Sequence, residues 1–163
     1  MPLDPILHEI AARYGRIRSG LDVGFGDGDV SRTLREFRGG VWMSIGASEE
    51  FPFEDAQFEV VVMSGECVAR AAVREANRVM KPEGCLFFTV QERVGAQPGF
   101  TMPELYKTIR DGFDILSVRR PKWWFFRCGG RTLTVCARKK AWHESRGVDS
   151  KGGFPLSPFR SSR

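Results

Sequence analysis

The sequence has no apolar run near the ~18 residues a helix needs to cross a bilayer, so an ordinary membrane-spanning helix is excluded. Histidine is scarce, with only His8 and His143. The four cysteines, Cys67, Cys85, Cys128 and Cys136, show no C-x-x-C spacing. A zinc site would lack ligands, and a disulfide-framework miniprotein is excluded. The first Lys or Arg is Arg13, whereas a secretory signal would begin basic. These absences predict an intracellular, cytoplasmic protein with reduced thiols, no metal and no membrane association.

What remains suits one soluble domain: 163 residues, 42% hydrophobic and 28% charged. Thirteen Phe and four Trp supply volume for a core. Charge is uneven. Residues 1–90 hold 10 Lys and Arg against 14 Asp and Glu, and residues 91–163 hold 15 against 6. A basic C-terminal third can attract nucleic acid or an acidic protein, or simply face water. Residues 141–163 are rich in Ser, Gly, Pro and Arg and read as a flexible basic tail behind a domain of residues 1–140.

Periodicity places the elements. Asp4-Pro5 is a helix start, and Ile6, Leu7, Ile10, Ala11 and Tyr14 recur at helical spacing, predicting a helix over 5–16. Leu21-Asp22-Val23-Gly24 reads as a buried strand entering a glycine loop. Val30, Leu34 and Phe37 mark the next helix, which Gly39-Gly40 ends. Strands are predicted over 41–45, 58–63 and 85–90, with a helical stripe from Val68 to Val79 between the last two. Thr101 and Glu104 have capping-box spacing ahead of another helix. Strands over 113–118, 122–127 and 131–138 follow, the last two joined by Cys128-Gly129-Gly130 as a hairpin. Alternating strands and helices imply an α/β fold with a mostly parallel sheet and a C-terminal antiparallel hairpin.

The stretch with most chemistry is Asp22-Val23-Gly24-Phe25-Gly26-Asp27-Gly28. Its G-x-G-x-G spacing fits neither the dinucleotide fingerprint nor the phosphate loop. It resembles the first motif, D/E-x-G-x-G-x-G, of the class I methyltransferases that use S-adenosylmethionine. Residues 51–61, FPFEDAQFEVV, are similar to the L-P-F-x-D-x-x-F-D-V-V segment before that family's fourth strand. Residues 74–84, Arg74-Glu75 through Arg78-Val79-Met80-Lys81-Pro82-Glu83-Gly84, resemble its R-E-x-x-R-V-L-K-P-G-G turn. The three occur in the family's order. The resemblance implies a Rossmann-like three-layer sandwich and methyl transfer from S-adenosylmethionine. It implies that Asp22 lies near the methionine amino group, that Gly24, Gly26 and Gly28 pass beneath methionine and ribose, and that Ser64 sits near the sulfonium.

The family's second strand ends in an acid that accepts hydrogen bonds from both ribose hydroxyls. Here residues 41–50 read VWMSIGASEE, with no acid at the strand end and about one helix and one strand missing before Phe53. In one alignment residues 41–46 are the second strand, with Gly46 in the acid's place. In the other they are the third strand, with Ala47 replacing an acid that contacts adenine. The second needs no gap before Phe51 and is preferred. Glu49 or Glu50 is the candidate substitute for the lost acid. Met63-Ser64-Gly65-Glu66 departs from the N/D-P-P-Y motif of amino-methylating enzymes, so the acceptor and any catalytic residue stay open, Glu66 being a candidate base. Trp123-Trp124-Phe125-Phe126, flanked by Arg120 and Arg127, reads either as core or as a surface that stacks bases. Two functions follow: a small methyltransferase of unidentified acceptor, or an inactive fold of the same kind that binds a protein or nucleic acid.

Overall fold

The computed structural model describes residues 4–26, 29–96, 98–120 and 131–141. Along the chain run α1 (Asp4–Arg13), β1 (Ser19–Val23), α2 (Asp29–Arg38), β2 (Val41–Ile45), β3 (Phe58–Met63), a 3-10 turn (Gly65–Cys67), α3 (Arg70–Val79), β4 (Met80–Glu92), α4 (Met102–Ile109), β5 (Phe113–Arg119) and β6 (Arg131–Lys139). The described strands form one sheet in the order β2-β1-β3-β4-β6-β5. The first four are parallel, and β6 runs antiparallel to both neighbours, β4 and β5. The expected strand over 122–127, its turn at Cys128-Gly129-Gly130 and the aromatic run within it lie outside the described residues, as does the tail from 142.

Alternation along the strands sorts side chains into two apolar layers, because successive residues point to opposite faces. On one face Leu21, Val23, Val61, Met63, Leu86, Phe88 and Val135 pack with Ala72, Val73, Ala76 and Val79 of α3 and Leu105 and Ile109 of α4. On the other, Trp42, Val60, Val62, Phe87, Cys85 and Cys136 pack with Ile6 and Ile10 of α1 and Leu34 of α2. Each fully buried side chain of this size contributes about 1.5–3 kcal/mol. The two cysteines act here as small apolar residues. Thr101 and Glu104 form the predicted capping box at α4. Glu9 of α1 is buried, accepts from Arg13 (2.9 Å) and Ser117 (2.8 Å), and pairs with Arg119, so α1 is tied to β5 by a compensated charge.

One expectation is corrected. Residues 41–45 do not form the third strand. They pair in register with β1, Ser19 opposite Val41 through Val23 opposite Ile45. In a doubly wound sheet of order 3-2-1-4-5-6 that is the second-strand position. The third strand and the helix after it are what the chain lacks, and residues 46–57 cross directly to β3. Avoiding a sequence gap was the wrong criterion, because strand identity is set by the neighbour that completes the hydrogen bonds. Local alignment carries no information about that neighbour.

Candidate functional site

The chain leaves β1 toward β2 on one side and later returns to β3 on the other. The crevice above β1 is therefore a topological switch point, where open α/β sheets bind ligands. Register brings three strand ends level there: Val23 is opposite both Ile45 and Met63. The next residues are locked together, Gly24 N donating to the Ile45 carbonyl (2.8 Å) and Ser64 N to the Val23 carbonyl (2.9 Å).

Asp22 lies one step below this rim and is fully buried. Its Oδ2 accepts from the hydroxyls of Ser31 at the start of α2 (2.9 Å) and Ser44 of β2 (3.3 Å). Its Oδ1 is equally buried and has no hydrogen-bond partner among the described residues. Burial pushes the carboxyl up from its ordinary value, against the Ser31 and Ser44 hydroxyls and the backbone N–H groups of Phe25 and Ser31, which favour the charged form. A buried carboxylate oxygen without a donor is costly, and a cationic ligand is the simplest compensation.

Gly24 and Gly26 have φ of +81° and +94°, the left-handed region that disfavours a side chain. A Cβ on Gly24 would run into the Cys67 thiol and approach Ser64 Cβ to 3.3 Å, so the backbone here is packed against the turn after β3. A Cβ on Gly26 would meet nothing within 4 Å. The loop is thus anchored at Gly24 and open at Gly26. Gly46, just past β2, also faces open space.

The structure brings Asp22, Gly24, Gly26 and Ser64 together, Ser64 being buried beside Gly24. Gly28 lies outside the described residues. Glu49 is on an exposed loop without a side-chain partner among the described residues, and Glu66 is exposed in the turn after β3. Ser31, Ser44 and Cys67 also belong to the cluster and were not foreseen. Ser44 is across from Asp22 only through the β1–β2 register, which no local pattern encodes. Cys67 has its thiol raised by burial, with Glu66 and Asp22 adding to the effect.

A parallel sheet of order β2-β1-β3-β4 with an antiparallel end, a glycine loop after β1 and a buried acid beneath that loop together define the class I methyltransferase fold in shortened form. Comparison with known proteins agrees. A family model described as a methyltransferase domain matches residues 32–88. Among solved structures, 1,6-didemethyltoxoflavin-N1-methyltransferase of Burkholderia thailandensis, with bound 1,6-didemethyltoxoflavin and S-adenosylhomocysteine, is similar at TM-score 0.66 and 20% identity, over 85% of this chain and 78% of that one. An S-adenosylmethionine-dependent methyltransferase from Aquifex aeolicus is similar at TM-score 0.62 and 18% identity, over 84% and 89%. The [4+2]-cyclase SpnF is similar at TM-score 0.65 and 17% identity, over 85% and 81%. At these identities the likeness establishes the fold. The cyclase shows that such a fold does not fix one reaction. No curated protein matches the sequence significantly. The resemblance read from the three motifs is borne out. No helix among the described residues is long and apolar enough to cross a membrane.

Proposed function

We propose that the protein is an S-adenosylmethionine-dependent methyltransferase, with the cofactor seated over the glycine loop at the β1 switch point. The observation that carries this reading is the buried Oδ1 of Asp22, without a hydrogen bond among the described residues, beneath a loop that is open at Gly26. A sulfonium cofactor with an α-amino group supplies both a cation for this oxygen and an already activated methyl group. Asp22 would hold the ammonium, directly or through water, and Ser31 and Ser44 would keep the carboxylate oriented. Gly24, Gly26 and Gly28 would form the floor, and Ser64 the wall nearest the sulfonium. With the methyl activated by the cofactor, the chain's own task is to align the acceptor for in-line attack. Glu66, exposed in the turn that follows β3, would be the base for an acceptor that must lose a proton.

The acceptor is assigned only by charge. From Ile115 to Arg163 there are 12 Lys and Arg against 2 acids, which suits a nucleic acid or an acidic protein. Buried cysteines suit the reducing cytoplasm. The alternative of an inactive binding module draws no support from the comparisons.

Calorimetric titration with S-adenosylmethionine and S-adenosylhomocysteine tests the reading. Binding is expected, and Gly26→Leu, which fills the open side of the loop, should abolish it while the protein stays folded by circular dichroism. No heat at millimolar cofactor would sink the proposal, and normal binding by Gly26→Leu would move the site elsewhere.

A further inference from the structure

The sheet has two edges, and they are built differently. The β5 edge carries Asp114 and Arg119 and an irregularity between Ile115 and Ser117, the devices that keep an edge from pairing further. The β2 edge, Val41-Trp42-Met43-Ser44-Ile45, has no charge, no proline and no bulge. Val41 and Met43 are 67% and 45% exposed, large values for apolar residues on a strand.

Parity shows which groups are free. Val41 N donates to Arg18 O, and Ile45 O accepts from Gly24 N, so the main-chain groups of 41, 43 and 45 point at β1. Those of Trp42 and Ser44 therefore point outward. Among the described residues the only contact to them is a long one of 3.4 Å, from Arg35 Nη2 to the Trp42 carbonyl.

We propose that a second copy of this chain pairs with this edge, β2 running antiparallel to its own twin about a two-fold axis at Met43. An antiparallel pairing needs residues with outward main-chain groups opposite one another. Placing Trp42 of one copy across from Ser44 of the other meets that condition twice, and it leaves Met43 facing Met43 and Val41 facing Ile45. Every pair on the exposed face is then apolar with apolar. The same arrangement is self-complementary in charge. Arg16 and Arg18 flank the start of β2 beside Gly40 and Val41, and Glu49 and Glu50 follow its end. All four are exposed, and none has an ion-pair partner among the described residues. Antiparallel pairing sets the arginine end of each copy against the glutamate end of the other, as a closed two-fold interface requires. A parallel arrangement would stack like on like.

Sedimentation of the full chain across a concentration series tests this. Twice the chain mass is expected. Met43→Lys, which puts like charges on the axis at an exposed position, should give a monomer with an unchanged far-ultraviolet circular dichroism spectrum and a melting temperature lower only by the lost association. Met43→Cys should form a disulfide-linked dimer under mild oxidation, whereas Val41→Cys, facing Ile45, should not. A wild-type chain that is monomeric throughout overturns the proposal, and hydrogen-exchange protection of Trp42 and Ser44 in that monomer would show that another part of the same chain covers the edge. A dimer that survives Met43→Lys, with no cross-link at Met43→Cys, overturns it equally.

Discussion

At the scale of single residues, the site turns on one buried charge and one vacant position. Asp22 is destabilised as a carboxylate by burial, so its pKa is raised above the ordinary 3.8. The sign follows: the cost of holding it charged is absent below that value and grows as pH rises through the raised one. Asp22→Asn should therefore raise the melting temperature at neutral pH, and the gain should vanish as pH falls below 3.8. The same substitution should weaken S-adenosylmethionine binding about ten- to a hundredfold, because it removes a charged hydrogen bond of roughly 1.5–3 kcal/mol. Parallel thermal and calorimetric titrations check both halves; a destabilised variant with full affinity would contradict them. Gly46 offers the opposite experiment. It stands where the fold's second strand usually carries the ribose acid, its Cβ direction is open, and its φ lies outside the left-handed region. Gly46→Glu should tighten cofactor binding by about one order of magnitude or more, by the same magnitude argument, with Gly46→Ala as the control that leaves affinity unchanged. Asp22 and the glycines could be read from the sequence. That Gly46, rather than Ala47, is the residue to compare with the acid at the end of the second strand required the β1–β2 pairing.

At the scale of elements, a single arginine substitutes for missing secondary structure. Residues 46–57 take the place of a strand and a helix, and Arg78 of α3 fastens them. Its Nη1 donates to Phe53 O (2.7 Å) and to Asp55 (2.8 Å), and its Nη2 donates to Phe51 O (3.0 Å) and Glu75 (2.7 Å). Glu75 in turn accepts from Phe51 N (3.0 Å). Arg78→Met should cost about 2–3 kcal/mol, allowing for the part of the side chain that remains in water. For a chain of this length that is a melting-temperature loss of roughly 4–12 °C. Arg78→Lys should not rescue it, since a point charge cannot reach carbonyls and carboxylates in several directions at once. The Arg78 hydrogen bonds hold the Glu75 carboxyl below its ordinary 4.5, so this contribution is complete above 4.5 and is lost as pH falls through the lowered value. The melting-temperature gap between wild type and Arg78→Met should narrow over that acid range to the part carried by the Phe51 and Phe53 carbonyls; a gap that stays constant would mean the Glu75 pairing contributes nothing to the clamp. The motif containing Arg78 was visible in the sequence, but its role as a fastener was not, because the loop groups it holds, on Phe51, Phe53 and Asp55, lie more than twenty residues away.

At the scale of the whole molecule, local patterns reached far. The strands over 41–45 and 58–63 match the observed elements because apolar runs bounded by Gly, Ser or charged residues are short-range signals. The Thr101–Glu104 capping box is a three-residue relation and was equally legible. Glu83 shows the limit of such reading. It stands where the family pattern has glycine, yet it adopts φ +63°, a backbone state imposed by the irregular stretch of β4 between Met80 and Cys85, where the pairing with β3 shifts register, rather than by its own preference. The sequence by itself determined most of the described elements and the glycine loop that follows β1, since each depends on residues within a few positions of one another. Only the tertiary structure decided which strand lies beside β1, that Ser31 and Ser44 share one oxygen of Asp22 while the other has no hydrogen bond among the described residues, and that β2 ends the described sheet as an uncharged edge. These are pairings between segments distant along the chain. Their free energy comes from register and burial, and no local window of sequence contains it.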